Sequence, residues 1–217
     1  MEKGAFSGVC HIMGAGEYTG GFAPEEGDCV IAADGGYETL RALEIRPDFI
    51  VGDFDSAPAP RGTNVRVLPR EKDDTDTLAA GRIGLERRCT LFHFWGCCGG
   101  REDHTYANYQ LLAMLSRRGL CGILHGKNAL FTAVTDRRIR FDDSYRGMIS
   151  VFSFSDRSVG VSISGLKYQL CGAELTSDYP LGVSNEFTGQ EALIEVRRGT
   201  LLIAYERQDV SGTKNGG

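Results

Sequence analysis

The chain has 217 residues, 41% of them hydrophobic, with 24 basic against 29 acidic side chains, a net charge of −5 and a pI near 5.4. That length allows one large domain or two small ones with a sizeable core, and the acidic balance argues against nucleic acid or an anionic membrane surface as a partner. No apolar run approaches the roughly 20 residues of a membrane span, and the start, MEKGAFSGVCHIMGAG, lacks the basic-then-apolar order of a secretory signal.

The first half alternates between two periods. GVCHIMG and DCVIAA (28–33) read as strands, and YETLRALEI (37–45) as a helix with Leu40, Leu43 and Ile45 on one side. DFIV (48–51) and NVRVLP (64–69) are short strands, and DTLAAGRIGLERR (76–88) is a helix carrying Leu78, Ile83 and Leu85. TLFHFWG (90–96) is a strand, TYANYQLLAMLSRRG (105–119) a helix closed by glycine, and CGILHG (121–126) a last strand. Short continuous apolar strands alternating with helices predict a parallel sheet covered on both faces.

From about residue 128 the helical period disappears. ALFTAV, RIRFDD, MISVFSFS, VSISG, GAELTS, ALIEVRRG and LLIAYE are short, often alternating, and separated by Gly, Asp and Ser, which predicts an antiparallel sandwich or barrel. A domain boundary therefore falls near Gly126, giving 1–126 and 127–211, with the tail GTKNGG (212–217) read as disordered. The seven cysteines are odd in number and mostly inside apolar runs, as suits reduced, buried thiols in a cytoplasmic protein. Cys97-Cys98 lacks the C-x2-C spacing of a zinc site.

Ligands of an open parallel sheet bind beyond the carboxyl ends of its strands. Four predicted strand ends carry acid or glycine: Asp34-Gly35-Gly36, Gly52-Asp53-Phe54-Asp55-Ser56, the run Arg70 to Asp76, and the GCCGGREDH that ends at His104. Asp53 and Asp55 are two apart, so in extended chain both carboxylates share a face and repel unless a cation lies between them; Mg2+ is commonly held that way with phosphate oxygens. The plainer account is a strand-end turn in which Asp bonds backbone amides. Asp73 and Asp76, three apart at a helix start, fit both a helix cap and a ligand pair. Gly99 and Gly100 let backbone amides approach phosphate ahead of a helix N-terminus, and Arg101 could clamp it as a fork, although GGREDH is neither a Walker A nor a GxGxxG sequence. His104 could be a base, a phosphate contact or a helix cap. In the β half, GLKYQL offers the aromatic Tyr168, and GVSNEF offers Ser184 and Asn185, residues as common in turns as in ligand sites.

In this order, ADGG (33–36), GDFDS (52–56), KDDTD (72–76), GGREDHTYAN (99–108), GLKY (165–168) and GVSNEF (182–187) resemble the thiamine pyrophosphokinases of the bacterial type. The chain departs from that pattern at GCC (96–98), where small or hydroxyl residues are more usual, and in YQLCGAEL, where a proline often follows the tyrosine. The resemblance implies an α/β plus all-β protein: an N-terminal Rossmann-like parallel-sheet domain that binds ATP, followed by a C-terminal antiparallel β-sandwich that binds thiamine. It also implies a homodimer with the thiamine site in the cleft between subunits. The implied reaction transfers a pyrophosphoryl group from ATP to the thiamine hydroxyl, giving thiamine diphosphate and AMP.

On that resemblance Asp53, Asp55 and Asp76 hold Mg2+ (Mn2+ as a substitute) and do the catalytic work, with Asp34 and Asp73 as neighbouring or alternating ligands. Gly35, Gly36, Lys72, Gly99, Gly100, Arg101, Asp103 and His104 serve ATP. Tyr168, Ser184 and Asn185 serve thiamine, a flat cation that an aromatic face suits. Asp55 is the candidate to receive the hydroxyl proton, although a metal-bound carboxylate is a weak base. The rival expectations are pyrophosphoryl transfer to another alcohol such as a hydroxymethylpterin, a nucleotide-binding module without turnover, and a Mg2+-dependent phosphohydrolase.

Overall fold

A computed structural model of the chain describes residues 6–53, 64–67 and 74–208. By compactness the chain divides in two. The first unit runs to Lys127 and includes Phe131–Ala133; the second takes Asn128–Leu130 and the chain from Val134 onward.

The first unit runs β1 (Val9–Met13), β2 (Cys29–Ala33), α1 (Gly36–Ala42), β3 (Phe49–Gly52), β4 (Val65–Val67), α2 (Asp76–Glu86), β5 (Leu91–Trp95), α3 (Glu102–Arg117) and β6 (Cys121–His125). Its strands lie in the order β6-β5-β1-β2-β3-β4, and every neighbouring pair is parallel. All five residues of β2 are buried, as a strand covered on both faces requires. Phe92, on the face it shares with Cys10, lies under α2, where a side chain at Gly84 would stand 2.5 Å from its ring. The same face meets α3 where Gly122 admits Leu112 and Leu115. On the opposite face Met13, Val30, Ala32, Ile50 and Trp95 pack with Leu40 of α1 and with Phe22.

Two helices differ from the sequence expectation. α1 ends at Ala42 rather than 45: Glu44 turns left-handed at φ 58° and the Ile45 amide reaches back to the Leu40 carbonyl at 2.9 Å. Leu43 is thereby 37% exposed, while Ile45 still packs on the core from outside the helix. α3 begins at Glu102, three residues early, because Glu102 and Asp103 suit the positive end of a helix dipole. Gly119, at φ 81°, closes it as expected.

Next to Phe22 lies a polar network that the apolar pattern hid. His11 is 6% exposed; its Nε2 meets Asp28 Oδ2 at 3.0 Å, and Trp95 Nε1 donates to its Nδ1 at 3.2 Å. Burial lowers the His11 pKa, and the bond to Asp28 only partly restores it. His93 on β5 stacks on His11 at 5.0 Å and meets His125 at 2.9 Å. Burial, then the adjacent His11, push its pKa down to about 4.

The second unit is all β: β7 (Ala129–Thr135), through which the division between the units passes, then β8 (Arg138–Phe141), β9 (Met148–Ser153), β10 (Arg157–Ser164), β11 (Leu170–Thr176), β12 (Gly182–Glu186), β13 (Ala192–Glu195) and β14 (Thr200–Glu206). β9 pairs antiparallel with β12 and β14, while a second sheet runs β11-β10-β13-β8, also antiparallel. The inward residues of both sheets, among them Ile149, Val151, Val161, Ile163, Ile194 and Ile203, form one buried core. Alternate side chains in and out is what a two-layer sandwich demands. The architecture is thus a Rossmann-like parallel sheet followed by an antiparallel sandwich.

Candidate active site

The strand order reverses between β1 and β5: β2 and β3 follow on one side of β1, and β5 and β6 on the other. A crevice opens beyond the carboxyl ends of the strands at such a point. Here it is a cavity of about 300 Å3, lined by residues from the ends of β1, β2 and β5 and the starts of α2 and α3.

Its floor is two interlocked glycine turns. The Gly14 amide donates to the Trp95 carbonyl at 2.8 Å and the Gly16 amide to the Gly96 carbonyl at 2.7 Å. A Cβ on Gly14 would stand 2.7 Å from the Gly96 oxygen, and one on Gly96 would stand 2.8 Å from the Gly14 oxygen. Neither turn tolerates a side chain while the other holds its place. Asn108, 5% exposed on α3, fastens the second turn by donating from Nδ2 to the Cys97 carbonyl at 2.6 Å.

Asp34 and Asp76 both line the cavity. Asp34 ends β2 at φ 49°, a left-handed conformation that Asp tolerates, and its amide donates to the Val51 carbonyl at 2.7 Å. Gly52 lies alongside, its missing Cβ only 3.1 Å from the Asp34 Cα, so Asp53 leaves β3 next to Asp34. Asp76 opens α2, whose cap is Thr75: its Oγ1 accepts from the Leu78 amide at 3.2 Å. Asp55, Lys72 and Asp73 lie outside the described residues.

Gly35 precedes α1, and Gly36 begins it so close to β1 that a Cβ would stand 2.0 Å from the Met13 carbonyl oxygen. Gly99, Gly100, Arg101 and His104 line the cavity; Asp103 does not. Asp103 instead holds Arg101 in a two-point pair, Nη2–Oδ2 2.6 Å and Nε–Oδ1 3.2 Å. Each holds the other charged: Arg101 keeps the Asp103 carboxyl below its ordinary range, and Asp103 raises the guanidinium. A planar fork fixed by one carboxylate is in the geometry to meet a second anion.

The cysteines here are structural. Cys97 donates to the Trp95 carbonyl at 3.2 Å, and burial pushes its thiol up to about 12. Cys98 donates to the His125 carbonyl at 3.4 Å and is raised by burial and then by Glu17. The Gly14–Gly16 turn and Asn108 also line the cavity; GAG after a strand and the last residue of GGREDHTYAN are their signals in the sequence.

In the second unit Tyr168 is 61% exposed. Lys167 lies 5.8 Å from its ring centroid and pairs with Glu186 at 2.8 Å. Asn185 is buried and fully engaged: Oδ1 accepts from the Tyr168 and Glu186 amides at 2.9 Å each, and Nδ2 donates to the Tyr168 carbonyl at 2.6 Å. Ser184 sits at φ 60°, its amide donating to Ser150 Oγ at 3.1 Å. Arg146, Lys167, Glu186 and Thr188 rim an open depression of about 610 Å3.

Two family profiles match the chain in sequence order. One, described as "Thiamin pyrophosphokinase, catalytic domain", matches residues 24–121; the other, "Thiamin pyrophosphokinase, vitamin B1 binding domain", matches residues 136–201. The chain belongs to the thiamin pyrophosphokinase family. It is 26% identical over 181 residues to the thiamine pyrophosphokinase of Bacillus subtilis (strain 168), an alignment that spans 80% of this chain and 85% of that one. Its fold is similar to the crystal structure of thiamin pyrophosphokinase from Geobacillus thermodenitrificans, with a TM-score of 0.79, 25% identity, and 93% and 99% of the two chains covered. The Candida albicans thiamin pyrophosphokinase has the same fold at a TM-score of 0.74, with 13% identity and 92% and 89% covered. The catalytic profile spans Asp34, Asp53, Asp76 and the Gly99–His104 turn, and the second profile spans Tyr168, Ser184 and Asn185.

Proposed function

We infer that this chain is a thiamine pyrophosphokinase: it transfers the pyrophosphoryl group of ATP to the hydroxyl of thiamine, producing thiamine diphosphate and AMP. The observation that carries this reading is a cavity at the sheet's switch point, lined by glycine turns and by Asp34 and Asp76, in a chain with both family domains in order.

The chemistry asks for positioning and charge neutralisation more than for covalent catalysis. The Gly14–Gly16 and Gly96–Gly100 turns bring backbone rather than side chains to the cavity wall, which suits a nucleotide phosphate chain. The N-terminus of α3 adds its dipole, and Arg101, whose Nε and Nη2 are held by Asp103, offers its Nη1 edge to phosphate oxygens. His104 stands beside it on the first turn.

Asp34 and Asp76 in the cavity, with Asp53 beside Asp34, form the hard oxygen donor set that Mg2+ takes. Mg2+ held there, with Asp55 and Asp73 as further ligands and Mn2+ as a substitute, would neutralise triphosphate charge as the β-phosphorus is attacked. Asp55 receives the thiamine hydroxyl proton in this reading, and Lys72 offsets phosphate charge. Tyr168 offers its exposed ring to the thiamine cation. Ser184 and Asn185 shape that site, Asn185 through the Tyr168 main chain that it holds. The unit is a homodimer with thiamine in the subunit cleft, a point that sedimentation analysis tests. Cytoplasmic placement goes with ATP as co-substrate and with seven free cysteines.

The deciding assay is purified protein with ATP and Mg2+, with and without thiamine, and products resolved by chromatography. AMP and thiamine diphosphate must appear together and only with thiamine. ADP as product, or AMP made equally well without the acceptor, would refute the reading.

A further inference from the structure

Away from the cavity, Cys10, Cys29 and Cys89 converge in the first unit. Their sulfurs all lie within 4.8 Å of one another, and the residues are 0%, 0% and 2% exposed. The fold makes this meeting: Cys10 and Cys29 are register partners on β1 and β2, and Cys89 enters from the α2–β5 turn, its Sγ 3.9 Å from the Val9 carbonyl. The helix above comes close enough that a Cβ on Gly84 would stand 2.9 Å from the Cys10 sulfur. Three small apolar side chains could fill a core here. Packing alone, however, does not call for three sulfurs around one point.

We propose that Cys10, Cys29 and Cys89 form a three-thiol binding site for a trivalent thiophilic ion, arsenic(III) being the type. Geometry allows it. Three sulfurs at most 4.8 Å apart leave a point within about 2.8 Å of all of them, so closing to the roughly 2.3 Å of a metal–sulfur bond needs each sulfur to move by less than about 1 Å. Charge selects the valence. Three thiolates around a monovalent ion would leave two net negative charges in the core, and around a divalent ion one. Asp28 and Asp48 lie near enough to disfavour any such surplus. Arsenous acid reacts with three thiols to give a neutral tris-thiolate and three waters, with no net proton and no redox change. A neutral product is the one a buried site tolerates. Coordination number agrees. No fourth His, Cys, Asp or Glu joins the cluster among the described residues, so tetrahedral zinc lacks a ligand while a three-coordinate centre is complete. Cys89 lies in the turn between exposed Arg88 and Thr90, one residue from the surface on either side.

Occupancy would tie together three segments that serve the cavity. β1 leads into Gly14, β2 into Asp34, and α2, which starts at Asp76, ends in the turn that holds Cys89. The proposal does not depend on the assigned activity, and its test reads binding alone.

The reduced full-length protein is incubated with arsenite under native conditions and weighed by native mass spectrometry. The expected product gains one arsenic and loses three hydrogens per chain, and X-ray absorption at the arsenic edge finds three sulfur neighbours. Cys29→Ala and Cys89→Ala, each checked for folding by circular dichroism, must lose the adduct, while Cys121→Ser and Cys171→Ser must keep it. An adduct that retains a hydroxyl on two sulfurs, as Cys97 and Cys98 could give, overturns the proposal, as does an unmodified wild-type chain. Because mass and absorption are read on the wild-type protein, a variant that fails to fold does not rescue the idea.

Discussion

Replacing Asn185 by alanine separates two roles for that residue. Its carboxamide makes three bonds to main chain, two of them closing the Tyr168 peptide on both sides. A buried group left without its partner costs about 1–3 kcal/mol. Three such losses would sum to several kcal/mol in a dry site, but Tyr168 is 61% exposed and water can reach part of its backbone. The expected destabilisation is therefore about 2–4 kcal/mol, which in a protein of this size lowers Tm by roughly 5–15 °C. Asn185→Asp should also destabilise, since a carboxylate oxygen would then face the Tyr168 carbonyl. Denaturant unfolding followed by far-UV circular dichroism measures the stability, and initial rates against thiamine and ATP measure the function. If the side chain acts by holding Tyr168, the KM for thiamine rises along with the loss of stability while the KM for ATP stays put. A variant of unchanged stability with a weakened thiamine KM would show that Asn185 touches substrate directly and would refute the scaffold role.

Other outcomes follow from the same geometry. Asp34→Asn and Asp76→Asn should each lower kcat by orders of magnitude with Tm nearly unchanged; near-wild-type turnover in both would remove them from the phosphate chemistry. Asn108→Ala frees the Cys97 carbonyl at the cavity floor and should cost about 1–3 kcal/mol together with a higher KM for ATP; an unchanged KM would show that the turn holds itself. Gly36→Ala sets a methyl 2.0 Å from the Met13 oxygen and should give little soluble protein, judged by expression and thermal melting. Stability should fall with acid in a defined window. His93 is held neutral in the fold down to about pH 4, whereas an unfolded histidine takes its proton near pH 6.5. The contribution is complete above about pH 6.5 and declines as pH falls from there toward 4. His93→Gln should flatten that part of a stability–pH curve, and an unaltered slope would place the titration elsewhere.

Chain order of strands and helices was legible because a central parallel strand such as β2 must be apolar throughout, and the sandwich strands must alternate. The acids at strand ends were legible for a similar reason: carboxylates that close an apolar run cannot stay in the core. The helix ends were less so. Ile45 continues the apolar stripe of α1 but packs from beyond its end, since a left-handed Glu44 stops the helix for reasons of backbone geometry. Asn185 shows the same limit at the site. A polar residue in GVSNEF reads equally as ligand or turn, and only its three main-chain partners distinguish the two.

By itself, then, the sequence determined the class of each half and the polar strand ends on which the functional reading rests. Those properties depend on local periodicity and on the cost of burying charge, both of which act over a few residues. Tertiary structure decided what depends on distant segments meeting. It set the Gly14 turn against the Gly96 turn, placed Asn108 under that floor, joined His11 to Asp28 and Trp95, and brought Cys10, Cys29 and Cys89 to one point. Each of these depends on strand register and on which helix covers which face, and no short window of the chain contains that information.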